Sequence, residues 1–494
     1  MLRIEHVQDL ETLRQIATLL DRENQKLLDR NRHLLEEITR LKGQDATTVQ
    51  RELELLKELL ARRERALFSE SSERRPQPVG APEPRAPQRG HGPKAQPELP
   101  LVEQVHELPA DQRRCGACGG ELKAMGDQAE ESEEITVIER HFTRVKHRRL
   151  KYRCSCNGFI ATAPAPPKLQ PGSRYSPEFA VEVAVGKYLD HLPLERQCRM
   201  MRREGLNVDS QTLWDQIEAL ARVLRPTYHA LQERVLASPI VGADESYWRL
   251  MDKKGSKRWW AWSVSAKDAL FHKILDSRSQ QAASQVLGDY RGIVMADGYG
   301  AYDALSRDGP GFTLAHCWAH VRRKFLEVES HAPETCRQIL DLIGRLYEVE
   351  RLVPAGESEE TLKFRAELRA QRLRPIVQEI QAWTLAQRVL PESGLAKAID
   401  YLLGMWKGLT LFLEDPRIPL DNNQTERGLR GLVVGRKNHY GSRSRRGTQV
   451  AALFYSLLES AKLCGVEPKA YLLAATRAAL ATPGTVSPPH TLLR

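Results

Sequence analysis

Three acidic residues stand in settings suited to holding divalent cations. Asp244 lies inside the β-rich run PIVGADESYWRL, Asp297 follows the short apolar run IVMA, and Glu426 stands in DNNQTERGLR directly before Arg427 and four residues ahead of Arg430. A carboxylate at the carboxyl end of a buried strand sits where open α/β sheets bind ligands. Two such carboxylates repel one another, and a divalent metal between them offsets that cost. A third carboxylate on a helix beside the sheet would complete a site for two Mg²⁺ or Mn²⁺ ions. Such a pair, about 3.5–4 Å apart, activates an attacking oxygen and stabilises a leaving one. Glu426 also has a plainer use, an i,i+4 pair with Arg430 on a surface helix.

The elements needed to bring these residues together can be read in order. PIVGADESYWRL, KRWWAWSVSA and ALFHKILDS are three consecutive β-rich runs with hairpin-like breaks. A helical segment, SQQAASQVLGDY, precedes the fourth strand GIVMADGYGAY, and a further helix start leads to a fifth strand, FTLAHCW. Three antiparallel strands, a crossover, a buried strand and another crossover form the order of a ribonuclease H-like domain. In that order the first and fourth strands are neighbours, so Asp244 and Asp297 converge. Glu426 follows a long helical insertion, roughly 321–415, on a helix expected to open at Asp421.

Charge marks two further surfaces. Lys and Arg total 74 against 64 Asp and Glu, a net +10, and the excess is concentrated. Residues 139–153, ERHFTRVKHRRLKYR, carry seven basic residues and one acid, and residues 421–446 carry seven against two. These are either two faces toward a polyanion or two solvated basic faces. On the first reading the phosphate contacts fall to Arg144, Lys146, Arg148, Arg149 and Lys151 in one patch. Arg427, Arg430, Arg436, Lys437, Arg443, Arg445 and Arg446 supply them in the other.

The amino-terminal part has its own grammar. Leu13, Leu20, Leu27, Leu34 and Leu41 repeat every seven residues, with Asn24 and Asn31 among the positions three before them. This is a heptad pattern with Leu at d and Asn at two a positions, expected to pair as a parallel coiled coil. A second amphipathic helix, roughly 48–67, follows. Residues 71–100 contain eight prolines and read as a disordered linker. Cys115 and Cys118 in RRCGACGGEL, with Cys154 and Cys156 in YRCSCNG, can supply four thiolates to a structural zinc. The single residue between the second pair is short for this purpose, and His141 or His147 could replace a thiolate. The run between the pairs alternates as a β-hairpin and would carry the first basic patch. Beyond the Pro-rich APAPPKLQPGS, the helix LERQCRMMRRE, a GLNV turn and an Asp209-capped helix QTLWDQIEALARVL have helix-turn-helix syntax. A structural helical hairpin has the same syntax.

The stretches GADESYW, MADGYGAYD, HCWAHVRRKF, PLDNNQTERGLRGLVVGRKNHYGS and ALFYSLLESAKLCGVEP resemble the transposases of the insertion sequence 66 family. The resemblance implies a multidomain α/β chain. Residues 1–70 would form a leucine-zipper coiled coil with a second helix, 71–110 a linker, 111–160 a zinc-binding DNA-binding module and 174–237 a helical region. A ribonuclease H-like catalytic domain would follow in two parts, 238–320 and 416–475, around the insertion, with a tail at 476–494. It also implies a DDE triad at Asp244, Asp297 and Glu426, and Mg²⁺-dependent cleavage and joining of double-stranded DNA at the element's terminal inverted repeats. In HCWAH, Cys317 and His320 match a Cys-x2-His signature; with no further ligand evident, they are expected to support the carboxylates rather than to bind zinc. A catalytically idle DNA-binding regulator and a nuclease that only hydrolyses are the alternatives. Partners would be DNA, a second copy of the chain and accessory proteins of the element. With no signal-peptide pattern and no apolar run near 18–20 residues, a bacterial cytoplasmic location with no membrane partner is expected.

Overall fold

The computed structural model describes residues 142–153, 160–252, 255–309 and 311–492, besides the single positions Asp29, His33 and Lys57. The heptad segment, the Pro-rich linker and Cys115, Cys118, Cys154 and Cys156 lie outside the described residues. The elements named below all fall within one compact unit.

A short antiparallel ladder comes first, β1 (Lys151–Arg153) with β2 (Ile160–Thr162). This ladder runs across the second cysteine pair, whereas the hairpin expected between the two pairs falls largely outside the described residues. Residues 142–150 have no regular structure, and Arg144, Lys146, Arg148 and Arg149 are exposed. The Ala163 amide donates to the Leu150 carbonyl at 2.9 Å and Arg149 Nε to the Ala163 carbonyl at 2.7 Å, which ties this segment to the end of β2.

Three helices follow: α1 (Pro177–Tyr188), α2 (Leu194–Arg203) and α3 (Ser210–Leu236). Asp209 caps α3, its carboxylate accepting from the Thr212 amide at 2.6 Å. The apolar stripe Leu213, Ile217, Leu220 and Leu224 is fully buried, as its helical spacing requires.

The centre is a five-stranded mixed sheet in the order β5–β4–β3–β6–β7. β3 (Ile240–Asp252), β4 (Gly255–Ser265) and β5 (Leu270–Leu275) form an antiparallel meander. β6 (Ile293–Ala296) joins β3 in parallel and β7 (Thr313–His316) joins β6. Helices α4 (Gln280–Leu287) and α5 (Gly300–Asp308) make the two crossovers.

From β7 the chain enters a helical block: α6 (Trp318–Val328), α7 (Pro333–Glu350), α8 (Glu359–Leu368), a π turn (Arg369–Leu373), α9 (Arg374–Ala386), α10 (Gly394–Gly404) and α11 (Trp406–Thr410). Its core of Trp318, Phe325, Ile339, Ile343, Ile380 and Leu402 is continuous with Met295 and Ala315 of the sheet. The block is therefore packed onto the sheet and not hung from it by a linker. The chain then returns through α12 (Asn423–His439), α13 (Arg445–Leu463) and α14 (Pro468–Ala481). Buried serines of α13 anchor edge strand β5: Ser456 Oγ accepts from the His272 amide at 2.8 Å and Ser460 Oγ from the Leu270 amide at 2.9 Å.

Candidate active site

Register brings the two aspartates level. Gly242 of β3 pairs in parallel with Met295 of β6, and Asp244 and Asp297 each stand two residues further on. An offset of two keeps a side chain on the same face of a sheet, and adjacent strands are about 4.8 Å apart. Asp244 receives the Glu245 amide at 2.8 Å, and Asp297 receives the Tyr299 amide at 3.1 Å.

Glu426 is brought to this face by the start of α12. The buried side chain of Asn422 donates to the Ala243 carbonyl at 2.8 Å and accepts from Thr425 Oγ1 at 2.6 Å. Thr425 Oγ1 in turn lies 2.7 Å from Ser265 Oγ. These bonds fasten the first turn of α12 across β3 and β4. Close approach is possible because position 242 is glycine: a Cβ there would stand 2.1 Å from Thr425 Oγ1 and 2.4 Å from Asn422 Oδ1. The helix opens at Asn423, two residues after the Asp421 start expected from sequence.

The electrostatics fit a cation. Burial, followed by the charges of Glu245, Asp297 and Glu426, holds the Asp244 carboxyl well above the usual carboxylate range. Glu426 Oε1 is buried and accepts no hydrogen bond. Asp244 feels the charges of Asp297 and Glu426, but the ligand atoms of these three do not all lie within 4.8 Å of one another, so a hard divalent ion would have to draw them together.

The ion-pair partners of Glu426 lie on α6 and do not include Arg430. His320 Nε2 is 3.5 Å from Oε1, and Arg323 Nη2 is 3.5 Å from Oε2. Cys317, the residue before α6, is buried, and its Sγ accepts the Asn422 amide at 3.2 Å. Burial pushes that thiol up to about 12. One ligand atom each of Cys317, His320 and Glu426 lies within 4.8 Å of the other two. The Cys-x2-His segment thus contributes its two side chains to the surroundings of Glu426.

Sequence reading missed a second layer under the site. Glu245 follows Asp244 on β3 and so points through the opposite face of the sheet. It is buried, with Oε1 accepting from Arg278 at 2.8 and 2.5 Å and Oε2 from the Tyr302 hydroxyl at 2.8 Å. The Arg278 guanidinium stacks 3.7 Å from the ring centre of Tyr299, whose amide is the one bonded to Asp297. A continuous chain of contacts therefore runs from Glu245 to Asp297. The available signal was two adjacent acids on a strand covered on both faces, where one of them has to find a cation.

The basic residues divide. Arg427, Arg430, Lys437 and Arg443 are exposed along and beyond α12, and Lys151 is exposed on β1. Arg436 is turned inward: its guanidinium donates to the Tyr247 carbonyl and to Ser246 Oγ, and lies over the Tyr247 ring at 5.3 Å. Arg446 pairs with Glu218 of α3, and Arg445 with Asp276 at 3.6 Å. A helix packed this tightly on a sheet turns part of its basic stripe toward the protein.

The class defined by these features is an α/β domain with acidic residues within β3 and just past the end of its parallel neighbour β6, and basic residues along one flank. Residues 172–450 match the family model described as Transposase IS66 family. Residues 112–157, which contain the four cysteines of the proposed zinc set, match the zinc-finger binding domain of transposase IS66. Three proteins of Sinorhizobium fredii (strain NBRC 101917 / NGR234) are similar over most of their length. The uncharacterized protein y4jD is 31% identical over 418 residues, covering 80% of this chain and 80% of the relative. Uncharacterized protein y4qI is 29% identical over 416 residues, 80% of this chain and 74% of the relative, and y4hP is 28% identical over 387 residues, 72% and 69%. The chain belongs to the IS66 transposase family, whose DDE domain is one of phosphoryl transfer in DNA transposition. The family implies a divalent metal at the DDE domain and DNA as partner, and the zinc-finger match points to zinc.

Proposed function

We propose that this protein cleaves the ends of its own insertion sequence and joins them to target DNA, with Asp244, Asp297 and Glu426 as the carboxylates that hold the divalent metal. The observation that carries this reading is the register that sets Asp244 and Asp297 level on neighbouring strands, with the first turn of α12 tied to Ala243 beside them. The strand order, with three antiparallel strands followed by two parallel ones, supports a ribonuclease H-like domain. When bound, Mg²⁺ or Mn²⁺ would supply activation of the attacking oxygen and charge stabilisation at the leaving one.

The protein's own residues set the geometry. The Asn422–Thr425–Ser265 bonds hold Glu426 against β3, and the Tyr299 amide orients Asp297. Cys317 and His320 support Glu426 from α6. Exposed Arg427, Arg430, Lys437 and Arg443 contact phosphates on the same flank, with the 144–151 patch as a second contact. Cleavage at the terminal inverted repeats releases a 3′-hydroxyl, which the same site directs at a target phosphodiester. The four cysteines hold a structural zinc, and the heptad segment joins two copies so that both ends of one element are held together.

The test is incubation of the purified chain with labelled element ends and Mg²⁺, scored for nicked, excised and joined products. Asp244→Asn, Asp297→Asn and Glu426→Gln should each abolish cleavage and leave end binding nearly unchanged. Cleavage surviving in one of them removes that residue from the metal set. Nicking without joined products supports a hydrolytic nuclease instead.

A further inference from the structure

The triangle Cys317, His320 and Glu426 is more compact than a supporting role needs. No hydrogen bond between these three side chains explains it: His320 Nε2 and Glu426 Oε1 stand 3.5 Å apart, and Cys317 Sγ takes its hydrogen bond from the Asn422 backbone. Glu426 Oε1 is buried without a hydrogen-bond partner. Arg323 faces the other carboxylate oxygen, Oε2, which leaves Oε1 available.

The dimensions are those of a metal site of a different kind from the carboxylate set. Zinc lies about 2.0–2.1 Å from a histidine nitrogen and about 2.0–2.2 Å from a carboxylate oxygen, so tetrahedral bonds separate the two by about 3.4 Å. The observed 3.5 Å needs almost no rearrangement. A thiolate and an imidazole select zinc-class ions over Mg²⁺, which prefers oxygen alone. Metal-bound thiolates are commonly stabilised by backbone amides, the part that Asn422 would play here. Three ligands would leave a fourth position open.

We propose that Cys317, His320 and Glu426 bind a single zinc-class divalent ion, and that this ion withdraws Glu426 from the Mg²⁺ carboxylate set and so inhibits strand cleavage reversibly. The inhibitory half rests on the role proposed above for Glu426; the binding half does not.

Two measurements on the full chain separate them. The protein is stripped of metal, exposed to Zn²⁺, dialysed, and its zinc counted; Co²⁺ replaces Zn²⁺ in a parallel sample to report thiolate ligation by its charge-transfer absorption. Cys317→Ala and His320→Gln should each bind one equivalent less than wild type, while Asp244→Asn and Cys115→Ser keep the equivalent that depends on Cys317. His320→Gln gives the same reading should Cys317→Ala fail to fold, with circular dichroism as the check. An unchanged zinc count in the folded variants overturns the site. In the second measurement Zn²⁺ beyond the equivalent held by the four cysteines is titrated against Mg²⁺-supported end cleavage, each protein normalised to its own rate before that addition. Half-inhibition should require at least tenfold more Zn²⁺ in His320→Gln than in wild type, and an equal requirement overturns the inhibitory half. Wild type that cleaves no ends with Mg²⁺ at any zinc loading refutes the transposition reading while leaving the zinc count standing.

Discussion

At position 242 the backbone can carry nothing larger than hydrogen, because the first turn of α12 rests on it. Gly242→Ala would place a methyl 2.1 Å from Thr425 Oγ1 and push Glu426 away from Asp244. Overpacking of this kind costs about 1–3 kcal/mol. The expected outcome is a folded, less stable protein with end cleavage reduced far more than end binding, read by urea denaturation and the cleavage assay; full cleavage would mean that α12 adapts. Glu245 makes a second case at this scale. Glu245→Gln keeps the shape but leaves Arg278 without its carboxylate, and losing one partner of a buried pair costs about 3–5 kcal/mol when complete. Arg278 keeps some solvent contact, with its side chain 34% exposed, so a smaller loss is expected. Because Arg278 stacks on Tyr299 and the Tyr299 amide holds Asp297, Glu245→Gln should also raise the Mg²⁺ concentration needed for half-maximal cleavage. An unchanged metal requirement would confine Glu245 to stability.

At the scale of elements, β5 and α13 share a buried histidine that makes stability depend on pH. His272 is wholly buried, neither ring nitrogen has a hydrogen-bond partner, and burial lowers its pKa to about 3. The unfolded chain takes up a proton near pH 6.5 and the folded one does not. Stability is therefore fully present above about pH 6.5 and is lost as pH falls below it, by about 1.4 kcal/mol per pH unit. His272→Leu removes this uptake. The difference in unfolding free energy between pH 7 and pH 5 should shrink by about 2 kcal/mol, measured by urea titration at both values. An undiminished difference would mean that the ring finds a proton acceptor on acidification.

At the scale of the whole chain, the proposed function places DNA binding and assembly in separate segments. Arg148→Ala with Arg149→Ala should flatten the salt dependence of end binding, each lost phosphate contact reducing the slope by about 0.9. An unaltered slope would leave that exposed segment facing solvent. A peptide of residues 1–45 should sediment as a parallel dimer, since Asn24 and Asn31 at a positions satisfy their amides against the same residues of a partner. A monomer at tens of micromolar would transfer the pairing of element ends to another interface. Among the described residues, no helix is long and apolar enough to cross a membrane.

Much of the carboxylate geometry could be read from local pattern. Period-two alternation and short apolar runs mark β3 to β7, so Asp244 could be placed inside the first strand and Asp297 just past the fourth, and the ribonuclease H-like order made those strands neighbours. The buried stripe of α3 and its Asp209 cap were legible for the same reason. Other features depend on which distant segments pack together. Cys317 and His320 become neighbours of Glu426 only because the helical block closes on the sheet and Asn422 ties α12 to β3. Arg436 reads as a phosphate contact in a basic run, yet it turns to Tyr247 because the helix lies against the strand. Glu245 reads as a duplicate of Asp244 until the opposite face of the sheet supplies Arg278 and Tyr302. Sequence spacing sets direction along an element, while the identity of what faces a side chain is decided by contacts between residues far apart in the chain.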